Sequence, residues 1–368
     1  MLKNLTKFED LESIRGIAAF LIVILHIGLL NQITFFNNCY LMVEIFFVLS
    51  GFVIHNAYDK KINSLKKLLE FWFLRFGRLY PIHLIFLFGY LFLEFVKYLL
   101  ENKYGTIYKI SPFNDQNYIQ AFVLNLFLMQ GLWNHYRDYP LFNGPAWSIS
   151  VEFYTYFVFA LINLKFYQFK RYFYLGISAF SIYLLFKGDL FYLSFGFLRC
   201  LAGFFIGCLV SEYSNSNRFN INKYVSFICL VIIVVLLSFK NPNNTNLDFL
   251  IYFPTALLIF SLCKRPDGHL NKALKMRFLL WLGTISYSVY MSHYIILRIN
   301  DIIETKILLN FMSFSVIPYL SLVLHLLFII IFVLLLSSFL YYFVELPFRN
   351  KSREFIFSNK NTAKKFFI

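Results

Sequence analysis

The sequence predicts an all-α polytopic membrane protein: a bundle of about ten transmembrane helices with one amphipathic or re-entrant helix on the outer face. Three observations predict it. The first is composition: of 368 residues, 59% are hydrophobic and only 14% are charged, where soluble domains carry roughly a quarter charged residues. The second is that apolar windows long enough to cross a bilayer recur from end to end. The third is the placement of positive charge. With the N-terminus inside, 24 of the 34 Lys and Arg fall on inner segments and 8 on outer ones, while Arg15 and Arg199 lie within spans. Cytoplasmic loops collect Lys and Arg, so both termini are expected in the cytoplasm.

The spans read, in order, as 12–30, 40–58, 80–100, 147–164, 172–187, 191–210, 223–239, 247–263, 279–298 and 317–343. The first lacks a signal-peptide cleavage site and is expected to stay in the mature chain. Pro81 suits the opening turn of the third span. The stretch 117–132 is apolar but interrupted by Asn125, Gln130 and Gly131, which marks it as the outer-face helix. Residues 1–350 are expected to form one transmembrane domain and 351–368 a short basic cytoplasmic tail. That leaves no room for an appended soluble domain.

The net charge of +15 is accounted for by membrane orientation, so nucleic acid is not expected as a partner; membrane lipid is. Cys39, Cys200, Cys208, Cys229 and Cys263 show no CxxC and no paired spacing. They read as small core residues, and no metal site is expected.

Ionisable residues inside a membrane usually face the bundle interior and mark function. In "RGIAAFLIVILHI", Arg15 lies near the inner end of span one and His26 about one turn short of its outer end. They share a face and stand about 16 Å apart along the axis. Glu44 in span two, Glu152 in span four and His293 in span nine fall near the level of His26. At the inner boundary, "RFGRLYPIH" places Arg75 and Arg78 on one helical face. Two arginines there suit bidentate phosphate binding, though the spacing alone favours ordinary positive-inside anchoring to anionic lipid. "VELPFR" brings Glu345 and Arg349 to the same side.

Taken in order, "RGIAAFLIVILH", "EIFFVLSGFVI", "RFGRLYP", "WSISVE", "ISYSVYMSH" and "VELPFR" resemble the acyltransferase-3 family of integral-membrane acyltransferases, over about residues 10 to 350. The resemblance implies transfer of an acyl group, often acetyl, from acyl-CoA to a carbohydrate at the bacterial cytoplasmic membrane. Family acceptors include O-antigen, capsule, peptidoglycan and exported oligosaccharides. It implies that Arg15 and His26 are essential and that Arg75 and Arg78 handle acyl-CoA. Glu152 matches the Glu of the W-S-x-x-x-E motif, and Arg199 matches a sixth-span Arg. Glu44 stands where many members have Asp.

On that basis acetyl-CoA is expected as donor substrate. Its nucleotide would sit at the inner face on Arg75 and Arg78, with Arg15 near, and its thioester close to His26. His26 then acts as general base toward a sugar hydroxyl or becomes acylated itself. Glu44 or Glu152 would hold the ring tautomer. Ser148, Tyr287 and His293 are candidate donors to an oxyanion. Ser50 reads as a helix-packing residue beside Gly51. Trp133, Tyr136, Tyr139 and Phe142 could stack on a sugar or sit in an interfacial belt. The alternatives are a transporter or flippase of glycan or lipid precursors, or an acyltransferase with a lipid, antibiotic or peptide acceptor.

Overall fold

The computed structural model describes residues 8–105, 111–113, 119–132, 142–187, 195–214, 221–241, 245–264, 268–303 and 318–357. Everything regular among them is helical. Six stretches are long and apolar enough to cross a membrane: Thr34–Tyr58, Leu65–Tyr104, Ala146–Lys165, Phe195–Ser214, Leu247–Lys264 and Leu326–Ile356. The remaining expected spans fall short of that measure for local reasons. The first helix carries Glu9, Asp10 and Glu12 in its opening turn, Lys170–Lys187 carries Lys170, Arg171 and Lys187, Val225–Phe239 has 15 residues, and the ninth span is broken in two.

Helix α1 (Glu9–Ile27) ends where Gly28 turns left-handed at φ 83° and its N–H returns to Leu25 O, a glycine C-cap. The span is therefore shorter than its hydropathy window, and His26 stands in its last turn. Helix α2 (Met42–Tyr58) follows two short turns. Helix α3 (Leu65–Tyr104) is continuous over 40 residues with Pro81 inside it. This corrects the expectation that Pro81 opens a separate span: the cytoplasmic arginines and the membrane span belong to one rod. Ser64 caps its start by accepting from the Lys67 N–H.

Helix α4 (Ile119–Leu126) ends in a turn at Leu128, φ 56°. Its last carbonyls need partners, and four side chains supply them in succession. His83 Nε2 lies 2.8 Å from Asn125 O, Tyr80 donates to Leu126 O, Tyr154 to Phe127 O and Ser150 to Leu128 O. Asn125 and Gln130, read from sequence as polar interruptions of an outer-face helix, are 0% and 4% exposed. The segment turns back between α3 and α5 (Ala146–Lys165), where irregular backbone is tolerated because protein encloses it.

Helices α6 (Lys170–Lys187), α7 (Phe195–Ser214), α8 (Val225–Phe239) and α9 (Tyr252–Lys264) follow. The tightest crossing joins α2 to α7. A Cβ on Gly51 would lie 1.8 Å from Phe204 O, and one on Gly207 would lie 2.0 Å from Val48 O. The "SG" in "LSGF" thus divides its work, with Gly51 supplying the close approach. Cys39, Cys200, Cys208 and Cys229 are buried free thiols, and Cys263 is half-buried.

Helices α10 (His269–Leu274), α11 (Arg277–Thr284) and α12 (Ser286–Ile303) grip the start of α1. Asn271 donates to Asp10 at 2.6 Å, and Ser13 donates to Leu274 O at 2.5 Å. Gly16 and Gly283 let the two backbones touch, since a Cβ on Gly16 would lie 2.5 Å from Gly283 N. Helix α13 (Pro318–Leu340) passes through a π-helical segment, Tyr341–Glu345, into α14 (Leu346–Phe357). The boundary drawn at residue 350 falls inside α14, and the rest of the expected basic tail, 358–368, lies outside the described residues.

Candidate active site

The grip on α1 fixes Arg15, and the rest of the site assembles around it. A cavity with about 710 Å³ of atom-free space, part of it open to the surroundings, lies between α1, α2, α3, α5 and α12. Arg15 and Arg78 line it, together with Ser50, Ser148, Glu152, Tyr156, Tyr287 and Tyr290. Arg15 pairs with Glu12 at 3.1 Å. Arg78 is surrounded by the charges of Glu345, Glu12 and Glu152, and its Nε has no hydrogen-bond partner.

Within the cavity runs a short hydrogen-bond chain that sequence reading missed. Tyr156 donates to Glu152 Oε1 at 2.6 Å, and Ser50 Oγ lies 3.0 Å from the Tyr156 oxygen. With the phenolic proton on Glu152, Ser50 is the donor to Tyr156. Glu152 and Tyr156 are four residues apart on α5, the spacing that stacks side chains on one helical face. That spacing was the available signal. Ser50 faces the cavity, so packing does not describe it.

Helix α12 carries its aromatic groups along one face. Tyr287 donates to Leu79 O at 2.5 Å, which commits its proton to backbone. Tyr290 donates to Pro145 O at 2.9 Å, and Ser148 lies 2.8 Å from its hydroxyl. The Tyr290 ring is 6.0 Å from His293, which is 5.0 Å from His26. His26 therefore stands two rings away from the cavity lining.

The four ionisable residues placed at one depth separate into three settings. His26 and His293 meet. Glu152 sits in the cavity. Glu44, fully buried, accepts from Arg199 and from Tyr252 at 2.5 Å on the far side of α2. Arg199 also lies over the Trp147 ring at 5.1 Å. Neither carboxylate is among the described partners of His26. Its Nδ1 lies 2.9 Å from Ile22 O. A carbonyl only accepts, so Nδ1 carries the proton and Nε2 presents its lone pair. The backbone thus sets the tautomer expected from Glu44 or Glu152. His293 is held alike by Val289 O at 3.2 Å.

Arg75 does not line the cavity. Its Nη2 donates to Tyr58 at 2.9 Å, and its guanidinium stacks near Tyr58 and Phe71. Glu345, in the π-helical segment, accepts from Ser288 at 3.0 Å beside the charges of Arg78, Arg349 and Arg15. Such segments recur at functional sites. Of the loop aromatics, Phe142 is buried, whereas Trp133, Tyr136 and Tyr139 lie outside the described residues.

Two arginines, a carboxylate and several hydroxyls thus line one cavity, with the His26–His293 pair beyond it, and comparison with known proteins supplies the class. The profile of the acyltransferase-3 family, described as an acyltransferase domain, matches residues 8–342, and the chain belongs to that family. It is 23% identical over 328 residues to the peptidoglycan O-acetyltransferase OatA of Listeria monocytogenes, covering 79% of this chain and 49% of that protein. It is 23% identical over 327 residues to a Staphylococcus aureus (strain COL) protein named "Putative O-acetyltransferase", covering 80% and 51%. It is 23% identical over 332 residues to the "Putative peptidoglycan O-acetyltransferase" YrhL of Bacillus subtilis, covering 80% and 49%. The chain thus spans about half the length of the curated relatives it matches. No solved structure matches it.

Proposed function

We propose that the protein is a membrane O-acyltransferase that moves an acyl group, in the first instance acetyl, from acyl-CoA to a hydroxyl of a cell-surface glycan. The names of the relatives favour a peptidoglycan-type acceptor over O-antigen or capsule. The observation that carries this reading is the continuity of α1: Arg15 lines the cavity, and His26, eleven residues on in the same helix, stands beyond the lining, reached from Tyr290 through His293. Those residues are about 16 Å apart along the helix, a span suited to a long, thin thioester arm.

The phosphates of the donor sit at the arginine end and the thioester reaches toward Tyr290 and His26. A sugar hydroxyl enters from the outer side, past the loop Asn143–Pro145. His26 Nε2, without a hydrogen-bond partner among the described residues, takes the hydroxyl proton as the oxygen attacks the thioester carbonyl, and the thiolate leaves. Base catalysis of this kind contributes typically 10²–10⁴-fold. Ser148 and Tyr290, which both donate to Pro145 O in the resting structure, serve as donors to the tetrahedral oxyanion by turning their hydroxyls from that carbonyl. The same His26 geometry also supports direct acylation of Nε2 followed by transfer, and the two routes differ in whether an acyl-enzyme accumulates. Placement in the bacterial cytoplasmic membrane, with both termini cytoplasmic, completes the reading.

The test uses the full chain in proteoliposomes with acetyl-labelled CoA and an isolated peptidoglycan fragment. Label should reach the glycan as an alkali-labile ester. Label that stays on CoA while the glycan gains none refutes the reading and revives a transporter.

A further inference from the structure

Helix α14 presses its inner end onto α3 at one point. A Cβ on Gly77 would lie 1.9 Å from Ser352 Oγ and 2.7 Å from its Cβ, so a side chain at position 77 would displace Ser352. Phe73 and Phe355 close it one turn away, ring centroids 5.5 Å apart. Gly77 lies between Arg75 and Arg78, and Ser352 lies between Arg349 and Arg353. The contact therefore draws four guanidiniums together. The charges acting on Arg353 are those of Arg349, Arg75 and Arg78.

The carboxylates recorded near this group and Arg15 are Glu12, Glu152 and Glu345, too few for five guanidiniums. Arg75 is 9% exposed, and the Nε groups of Arg75, Arg78 and Arg349 are buried without a hydrogen-bond partner. Buried donors left unpaired are costly and rare. Ordinary lipid anchoring asks for exposed cations, which describes Arg353 but not Arg75.

Resting on the acyltransferase reading, we propose that Arg349 and Arg353 of α14 join Arg75 and Arg78 of α3 in a cradle for the phosphates of the donor nucleotide. A guanidinium binds a phosphate bidentately, and four of them match a ligand bearing a diphosphate and a ribose phosphate. Arg353, the exposed member, stands at the mouth, where it discriminates a 3′-phosphorylated donor from one lacking that phosphate. Arg353 lies in what reads from sequence as a tail, and Arg349 at the close of the last span.

The experiment measures transfer from acetyl-CoA and from acetyl-dephospho-CoA by the full chain in zwitterionic nanodiscs. The wild type is compared with R349Q/R353Q and the charge-keeping R349K/R353K. Loss of charge-assisted hydrogen bonds should raise the KM for acetyl-CoA about tenfold or more in the Gln pair, with kcat within about twofold. The Gln pair should also lose the preference for the 3′-phosphorylated donor, and the Lys pair should recover part of it. Unchanged KM and preference in an active, folded Gln pair overturn the cradle and leave the transferase standing. Should the wild type transfer nothing, binding of labelled adenosine 3′,5′-bisphosphate to wild type and Gln pair still decides: equal binding refutes the cradle. If anionic lipid, and not the bisphosphate, raises the Tm of the wild type but not of the Gln pair, the phosphate is a headgroup and the proposal fails.

Discussion

The imidazole rings of His26 and His293 lie 5.0 Å apart and inclined by 54°, the first exposed and the second completely buried. Each donates from Nδ1 to the carbonyl four residues earlier in its own helix, so both point Nε2 away from backbone. In the proposed reaction His26 is the one that offers that nitrogen to a substrate. His26→Ala should lower kcat by about 10²–10⁴-fold while leaving acyl-CoA binding and the thermal transition in detergent unaltered. Labelled-acetyl transfer beside a bisphosphate-binding assay checks this, and near-normal transfer removes His26 from the chemistry.

Glu152 and Tyr156 make a second prediction. The chain from Ser50 through Tyr156 to Glu152 lies in the cavity, where each member aligns the next. Tyr156→Phe keeps the ring contacts with Phe71 and Phe204 but leaves Ser50 and Glu152 without their shared hydroxyl. Transfer should fall about tenfold or more, in keeping with the loss of a hydrogen bond to a charged group, with the fold preserved. Ser50→Ala should cost less than Tyr156→Phe, because it removes only the outer member. Equal rates for wild type and Tyr156→Phe would show that the chain is structural.

The helical membrane architecture was legible because hydropathy and charge bias act over twenty residues at a time. Helix ends were not. Gly28 closes α1 before the apolar run stops, and Ser64 opens α3 well before the apolar run of span three begins. Arg15, Glu152 and Arg78 were found because a charge in an apolar run needs a reason. Their grouping was harder, since depth along a helix is readable from sequence but rotation about its axis is not. Glu44 has the depth of His26 and faces Arg199 instead. Asn125 and Gln130 read only as polar interruptions of an amphipathic or re-entrant helix, because nothing local announces that α3 and α5 will enclose them.

Glu44 and Arg199 form a buried pair whose energetics differ from those of the cavity groups. Removing one partner of such a pair leaves an uncompensated charge and costs about 3–5 kcal/mol. Glu44→Gln should therefore lower the Tm in detergent, and Arg199→Gln should do so by a similar amount. The double variant should be more stable than either single variant. Because Arg199 also lies over Trp147, next to Ser148, the single variants should lose activity along with stability. A Glu44→Gln protein with full stability and no activity would instead make Glu44 a participant in the chemistry.

The crossing of α2 and α7 carries the last prediction. Ser50 and Gly51 are neighbours, yet one faces the cavity and the other the backbone of Phe204. A methyl at position 51 would lie 1.8 Å from Phe204 O, and that atom belongs to helix backbone with no rotamer to yield. Gly51→Ala must push α2 and α7 apart along a seam that also contains Gly207 and Val48 O. Overpacking of this kind costs typically 1–3 kcal/mol, and here it also moves Ser50 relative to Tyr156. Gly51→Ala should thus lower both the Tm and the transfer rate, whereas Ser50→Ala should lower the rate alone. Thermal unfolding and labelled-acetyl transfer measured on the same preparations separate the two. Equal Tm values for Gly51→Ala and wild type would mean that the helices cross farther apart than described.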